Sequence, residues 1–197
     1  MESVRVIEGT GVPLDRSDVD TDQIIPSDWL KRVERTGFGR GLFAEWRDDP
    51  GFVLNNDSYQ GATILVAGPN FGTGSSREHA VWALEDYGFR AVVSPRFADI
   101  FRTNCTKVGL LPVQVDADTG RALLDAVTAN PDLQIQLDVE ARRLSTSDGA
   151  IDVPFELDDF TQWRLLEGLD DIGLTMRHED EIAGHEAHRQ PWLPSTA

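Results

Sequence analysis

Cysteine is almost absent from this 197-residue chain: Cys105 stands alone, which excludes an internal disulfide framework and suits a reducing, cytoplasmic setting. No apolar run approaches the ~18 residues of a membrane span, so no membrane association is expected. The first eight residues have no basic stretch leading into an apolar one, so no signal peptide is expected either. Basic residues are outnumbered, 18 Lys and Arg against 34 Asp and Glu, for a formal charge of −16. That balance argues against a nucleic-acid partner, whose binding rests on neutralising phosphates with Lys and Arg. Internal repeats and low-complexity tracts are also missing. What remains is a chain of 40% hydrophobic content, long enough to bury one substantial core. One domain over residues 1–189 is expected, with 190–197 a flexible tail.

The acidity is uneven. Between Lys31 and Arg47 lie five basic residues (Lys31, Arg32, Arg35, Arg40, Arg47) against Glu34 and Glu45, whereas ten acidic residues from Glu156 onward face only Arg164, Arg177 and Arg189. A local basic loop on an acidic surface would draw an anionic substrate to itself. The other reading is a solvated loop of mixed charge.

Periodicity predicts a short strand at residues 4–7, a turn at 9–13 and a buried strand at 62–67. A long region of weak periodicity, residues 27–60, holds a helical piece at 29–33 and a glycine-punctuated loop at 36–41. Beyond it the pattern alternates: helix to Tyr87 closed by Gly88, strand 90–94, helix 97–103, strand 110–115, helix 119–129. Strands follow at 133–139, 142–146 and 151–155, the last pair joined by a turn at 147–149, then helices at 158–166 and 172–188. Such alternation, followed by a meander, describes an α/β domain.

The most informative stretch is residues 68–84, where Gly68, Gly72 and Gly74 turn the chain from strand to helix. Ser75 and Glu78 have the spacing of a capping box at that helix start. Free N–H donors and the positive end of the helix dipole favour an anion there, and Ser75, Ser76 and Arg77 add hydroxyls and a guanidinium fork for a carboxylate or phosphate. A nucleotide fold is disfavoured, because Arg77 occupies the place of the third glycine of the dinucleotide fingerprint and no P-loop lysine follows. His79 reads as a bracing residue before a general base, and Cys105 as buried before nucleophilic. His178, Glu181, His185 and His188 share a helical face that could hold a metal or simply face water. Asp18, Asp20 and Asp22 resemble half of a calcium loop but lack its glycine and distal glutamate.

The run Phe71 to Leu84 resembles the swivelling-domain signature of the aconitase superfamily. The resemblance continues through Asp20 to Pro26, Arg35 to Gly39, Phe97 to Phe101, Asn104 and Cys105, Gly109 to Pro112 and Gly168 to Thr175. Within the superfamily the chain is most similar to the small subunits of bacterial 3-isopropylmalate dehydratases. That resemblance implies a compact β/β/α swivelling-domain fold and a hydro-lyase active only with a large subunit. The large subunit would carry a [4Fe–4S] cluster, and this chain would bind no cofactor or metal of its own. The substrate would be a small dicarboxylate, with 2-isopropylmalate isomerised to 3-isopropylmalate in leucine biosynthesis. Homoaconitate or methylated malates are rival substrates, and a dicarboxylate-binding module without turnover is a rival function. By matching the motif, Ser75, Arg77 and Asp22 become catalytic: Ser75 as base, Arg77 as carboxylate clamp, and Asp22 as the group that orients Arg77 or the histidine side of the site. Ser76 and Gly74 would bind substrate, supported by His79 and Glu78. The loop from Leu30 to Gly39, with Leu30, Arg32, Val33 and Arg35, would read the isopropyl group.

Overall fold

Strand β1 (Val6–Leu14) joins two unlike halves of one sheet. In the computed structural model, which describes residues 1–31, 36–189 and 192, it is followed by β2 (Ile64–Ala67), β3 (Ala91–Ser94), β4 (Leu111–Gln114), β5 (Gln134–Asp138), β6 (Arg143–Thr146) and β7 (Asp152–Pro154). Their order is β4-β3-β2-β1-β5-β6-β7. Gly11–Leu14 of β1 pair in parallel with β2, and Val6–Thr10 pair antiparallel with β5. The parallel half is buried on both faces, which is why β2 and β3 read as unbroken apolar runs. The antiparallel half alternates, with Ile135, Leu137 and Leu144 inward and their neighbours outward.

The turn expected at residues 9–13 is strand instead. A Cβ on Gly9 would overlap the Thr63 hydroxyl, and one on Gly11 would lie 3.1 Å from Ile135 and 3.2 Å from Val127. These glycines admit close neighbours rather than turn the chain.

The helices are α1 (Thr21–Ile24), α2 (Ala44–Arg47), α3 (Glu78–Tyr87), α4 (Asp99–Val108), α5 (Ala117–Ala129), α6 (Asp159–Glu167), α7 (Asp171–Met176) and α8 (Glu179–Ala187). Part of the acidity serves their starts: Asp116, Asp158 and Asp170 each accept the N–H three residues on, at 2.8, 2.9 and 2.7 Å. The single helix expected over 172–188 is broken at Arg177 and His178. The helical piece expected at 29–33 is a 3-10 turn, Ser27–Lys31, as far as it is described. Residues 32–35 lie outside the described residues, as does the expected tail apart from Trp192.

Alternate residues of the parallel strands feed two cores. Leu65, Ala67 and Val92 meet Phe38, Phe43, Phe71, Phe101 and the buried faces of α3 and α4. Ile64, Val66, Ala91 and Val93 meet Leu123 and Val127 of α5 and Leu165 of α6. The β2–α3 junction lies over the first of these.

Candidate active site

The chain leaves β2 at Ala67 and reaches α3 at Glu78 through a turn that two other segments hold. On one side, Ser94 is fully buried and its hydroxyl donates to the Gly68 carbonyl at 2.8 Å. Phe71 donates its N–H to Arg96 at 2.9 Å. On the other, residues 18–21 run alongside. Asp18 N–H reaches Pro69, Gly72 and Thr73 N–H reach Val19 at 2.8 and 3.1 Å, and Thr21 N–H reaches Thr73 at 2.9 Å. Gly72 has φ +79°, and a Cβ there would sit 2.6 Å from that of Phe101. Only glycine meets both demands.

This ladder accounts for the acidic run at Asp18–Asp22. Asp18 accepts from the Asn70 side chain at 2.6 Å. Asp20 caps α1, its carboxylate accepting the Gln23 N–H at 2.8 Å while the Gln23 side chain accepts the Asp20 N–H at 2.9 Å. Asp22 forms an ion pair with Arg77 across 55 residues of sequence. The three aspartates serve three local purposes, and the calcium-loop reading has no support in their arrangement.

The capping box therefore lies at Asp20 and Gln23, where the complete reciprocal pair forms, and not at Ser75 and Glu78. Arg77 is the N-cap of α3, extended at φ −131° and ψ 107°, with no side-chain cap. Two contacts account for this: the Ser75 carbonyl is taken by the Thr21 hydroxyl at 2.9 Å, and Arg77 is drawn toward Asp22. Residues 74–77 thus form a turn ahead of the helix, with Gly74 at φ +88° and Gly74, Ser75 and Ser76 exposed. The Arg77 side chain is only 20% exposed, and Asp22 is 55% exposed.

The structure brings Ser75, Ser76, Arg77, Gly74 and Asp22 together. Glu78 is exposed and lines a groove of about 240 Å³ with Trp82, Asn104, Lys107 and Ile172. His79 is half-buried, its ring edge-on to Phe38 at 5.2 Å and against Trp82 at 4.8 Å, a bracing position. That cluster anchors one end of the 30–39 loop, since Gly39 N–H also donates to Asp86 at 2.8 Å. Leu30 packs against the same core. Arg32, Val33 and Arg35 lie outside the described residues. Cys105 is fully buried, and burial pushes its thiol well above the usual range, which makes it a poor nucleophile. His178 faces Glu181 at 3.3 Å and His188 contacts the Gly184 carbonyl. No three His, Cys, Asp or Glu side chains converge as metal donors among the described residues.

The family profile described as the Aconitase C-terminal domain matches residues 1–118. A second profile, for the C-terminal domain of the 3-isopropylmalate dehydratase small subunit, matches residues 171–196. A curated relative from Frankia alni, named 3-isopropylmalate dehydratase small subunit, is 64% identical over 195 residues and 99% of each chain. One of the same name from Parafrankia sp. is 65% identical over the whole of both chains. The chain belongs to the 3-isopropylmalate dehydratase small subunit family. A crystal structure titled 3-isopropylmalate dehydratase, from Methanocaldococcus jannaschii, superposes with TM-score 0.67 over 91% of this chain and 99% of its own, at 24% identity. It supports the swivelling-domain fold. Within that family fold, the residue that sequence reasoning passed over is Thr21, which fastens the Ser75 carbonyl. Its signal was its place between two aspartates in the motif itself.

Proposed function

We propose that this chain is the small subunit of a heteromeric, cytoplasmic 3-isopropylmalate dehydratase and supplies the base and the carboxylate clamp. The observation that carries this is Arg77, held by Asp22 beside two exposed serines on a braced turn. Among the described residues no helix is long and apolar enough to cross a membrane.

The reaction requires loss of a proton from the carbon beside one carboxylate and of hydroxide from the next carbon, then water addition in the opposite sense. Ser75 takes the proton and returns it. A serine alkoxide is a poor prospect in water, so its charge needs fixed donors and a site closed to solvent. Arg77 supplies one such donor group, and the N–H groups at the start of α3 that have no acceptor among the described residues supply others. Ser76 and Arg77 hold the substrate carboxylate, the guanidinium offering two parallel N–H bonds. The family also implies a [4Fe–4S] cluster, and the residues here do not fit one: a lone, fully buried Cys105 cannot supply its thiolates. The cluster and its Lewis-acid chemistry toward the departing hydroxyl are therefore assigned to the large subunit.

The test is turnover of 2-isopropylmalate by this chain mixed anaerobically with a cluster-loaded large subunit. Activity is expected only in the mixture. Ser75→Ala should lose about 10²–10⁴-fold, the usual contribution of a positioned base. Unimpaired Ser75→Ala would move the base elsewhere, and an active lone chain would refute the half-enzyme.

A further inference from the structure

Thr21 opens α1 and is 2% exposed, and its two donors meet the catalytic turn. The N–H reaches the Thr73 carbonyl and the hydroxyl the Ser75 carbonyl, both at 2.9 Å. The Asp20–Gln23 box holds α1 itself, so Thr21 is a fixed point rather than a mobile side chain. The peptide between Ser75 and Ser76 is planar and trans. Its carbonyl points inward to Thr21, so its N–H, on Ser76, points the opposite way. It thus faces away from buried Thr21, in a stretch where Ser75 and Ser76 are both exposed. The Ser76 N–H has no acceptor among the described residues.

We infer that Thr21 is a positioning residue, which aims the free Ser76 backbone N–H at the substrate carboxylate adjoining the carbon that loses its proton. The inference rests on Ser75 as the base. When the C–H bond breaks, the proton passes to the Ser75 oxygen and the electron pair spreads into that neighbouring carboxylate. The pair then forms the double bond as hydroxide leaves the next carbon. The carboxylate oxygen is more negative midway than at the start, so a fixed N–H there favours the transition state over bound substrate. The effect belongs in kcat.

The test uses the assembled complex with 2-isopropylmalate. Thr21→Val keeps the side chain's shape and removes its hydroxyl. It should lower kcat about 10- to 100-fold, somewhat less than outright loss of an oxyanion donor. KM and co-elution with the large subunit should stay within about threefold of the parent on the same reasoning. Thr21→Ser restores the hydroxyl and should recover most of kcat. Thr21→Ala repeats the deletion should the valine variant not fold. Parental kcat in the hydroxyl-free variants overturns the inference, as does a serine variant no better than valine, which would make the methyl group the cause. Ser75→Ala run alongside separates the two levels. If it is dead while Thr21→Val is normal, only the role of Thr21 falls. If it turns over normally, the base reading falls and takes the inference with it.

Discussion

Asp22→Asn separates the two things that the Arg77–Asp22 pair does. As a contributor to folding the pair is weak, since Asp22 is 55% exposed and Arg77 20%. Pairs this open to water contribute about 0.2–1 kcal/mol. In a chain of this size that is a fall in Tm of no more than about 2–4 °C. As a device for ordering Arg77 it matters more. An arginine side chain carries about 2 kcal/mol of rotamer entropy, and the Asp22 contact holds one end of the fork before substrate arrives. Asparagine keeps an acceptor oxygen but loses the charge, so roughly half to all of that ordering must be recovered on binding. The expected loss in kcat/KM is therefore about 1–2 kcal/mol, roughly 5- to 30-fold. The assay is steady-state turnover in the assembled complex, beside a thermal melt of the variant chain. Unchanged kcat/KM would refute the reasoning. So would a drop in Tm of about 8 °C or more, because the pair would then be structural.

Gly72→Ala combines a left-handed φ with overlap against Phe101. It should cost about 3 kcal/mol or more, seen as a shift in urea midpoint, and abolish turnover by displacing the Ser75 turn. Gly9→Ala should destabilise by about 1–3 kcal/mol through the Thr63 hydroxyl, a buried group without a hydrogen-bond partner. Thr63→Ala removes that hydroxyl, and the double variant should recover most of the loss in a double-mutant cycle; no recovery would place the strain elsewhere. Asp158 and Asp170 are held below the ordinary carboxylate value of 3.8, the first chiefly by the Thr161 side chain and then its N–H, the second by the Gly173 N–H. The unfolded chain then takes up these protons first as pH falls. Their stabilisation is full above about pH 5 and is lost as pH drops through 4 and below. Asp170→Asn keeps a capping oxygen without titrating, so urea midpoints between about pH 3 and 6 should fall less steeply than in the parent.

Strands β2 to β4, the α3–Gly88 stop and the gathering of Ser75, Ser76 and Arg77 just ahead of a helix were legible because each depends on neighbours in sequence. Ile64–Ala67 is apolar throughout since both faces are covered, and Gly88 at φ +118° ends α3. The errors share a cause. Gly9 and Gly11 read as a turn because glycine punctuates turns, whereas Thr63, Val127 and Ile135, far along the chain, are what exclude a side chain there. Ser75 and Glu78 match the capping-box pattern, but two contacts from residues 21 and 22 hold the turn extended past Ser75. Pattern reading weighs local hydrogen bonds alone, and here a long-range one takes the same carbonyl first.

That competition also explains why the site can be rigid and still open. Had Ser75 capped α3, its hydroxyl would be tied to a backbone N–H of its own helix and unavailable as a base. The Thr21 bond fixes the backbone instead, through a carbonyl that needs a partner in any case. The ladder from Asp18 to Asp22 thus fastens the turn by its main chain and by Arg77, and leaves both serines exposed. An exposed hydroxyl in water stays protonated, so the braced turn is preparation rather than catalysis. Under the function proposed above, covering the turn with the large subunit would remove water and let fixed donors carry the charge. On this reasoning, assembly should raise the reactivity of Ser75 with little rearrangement of the turn beneath it.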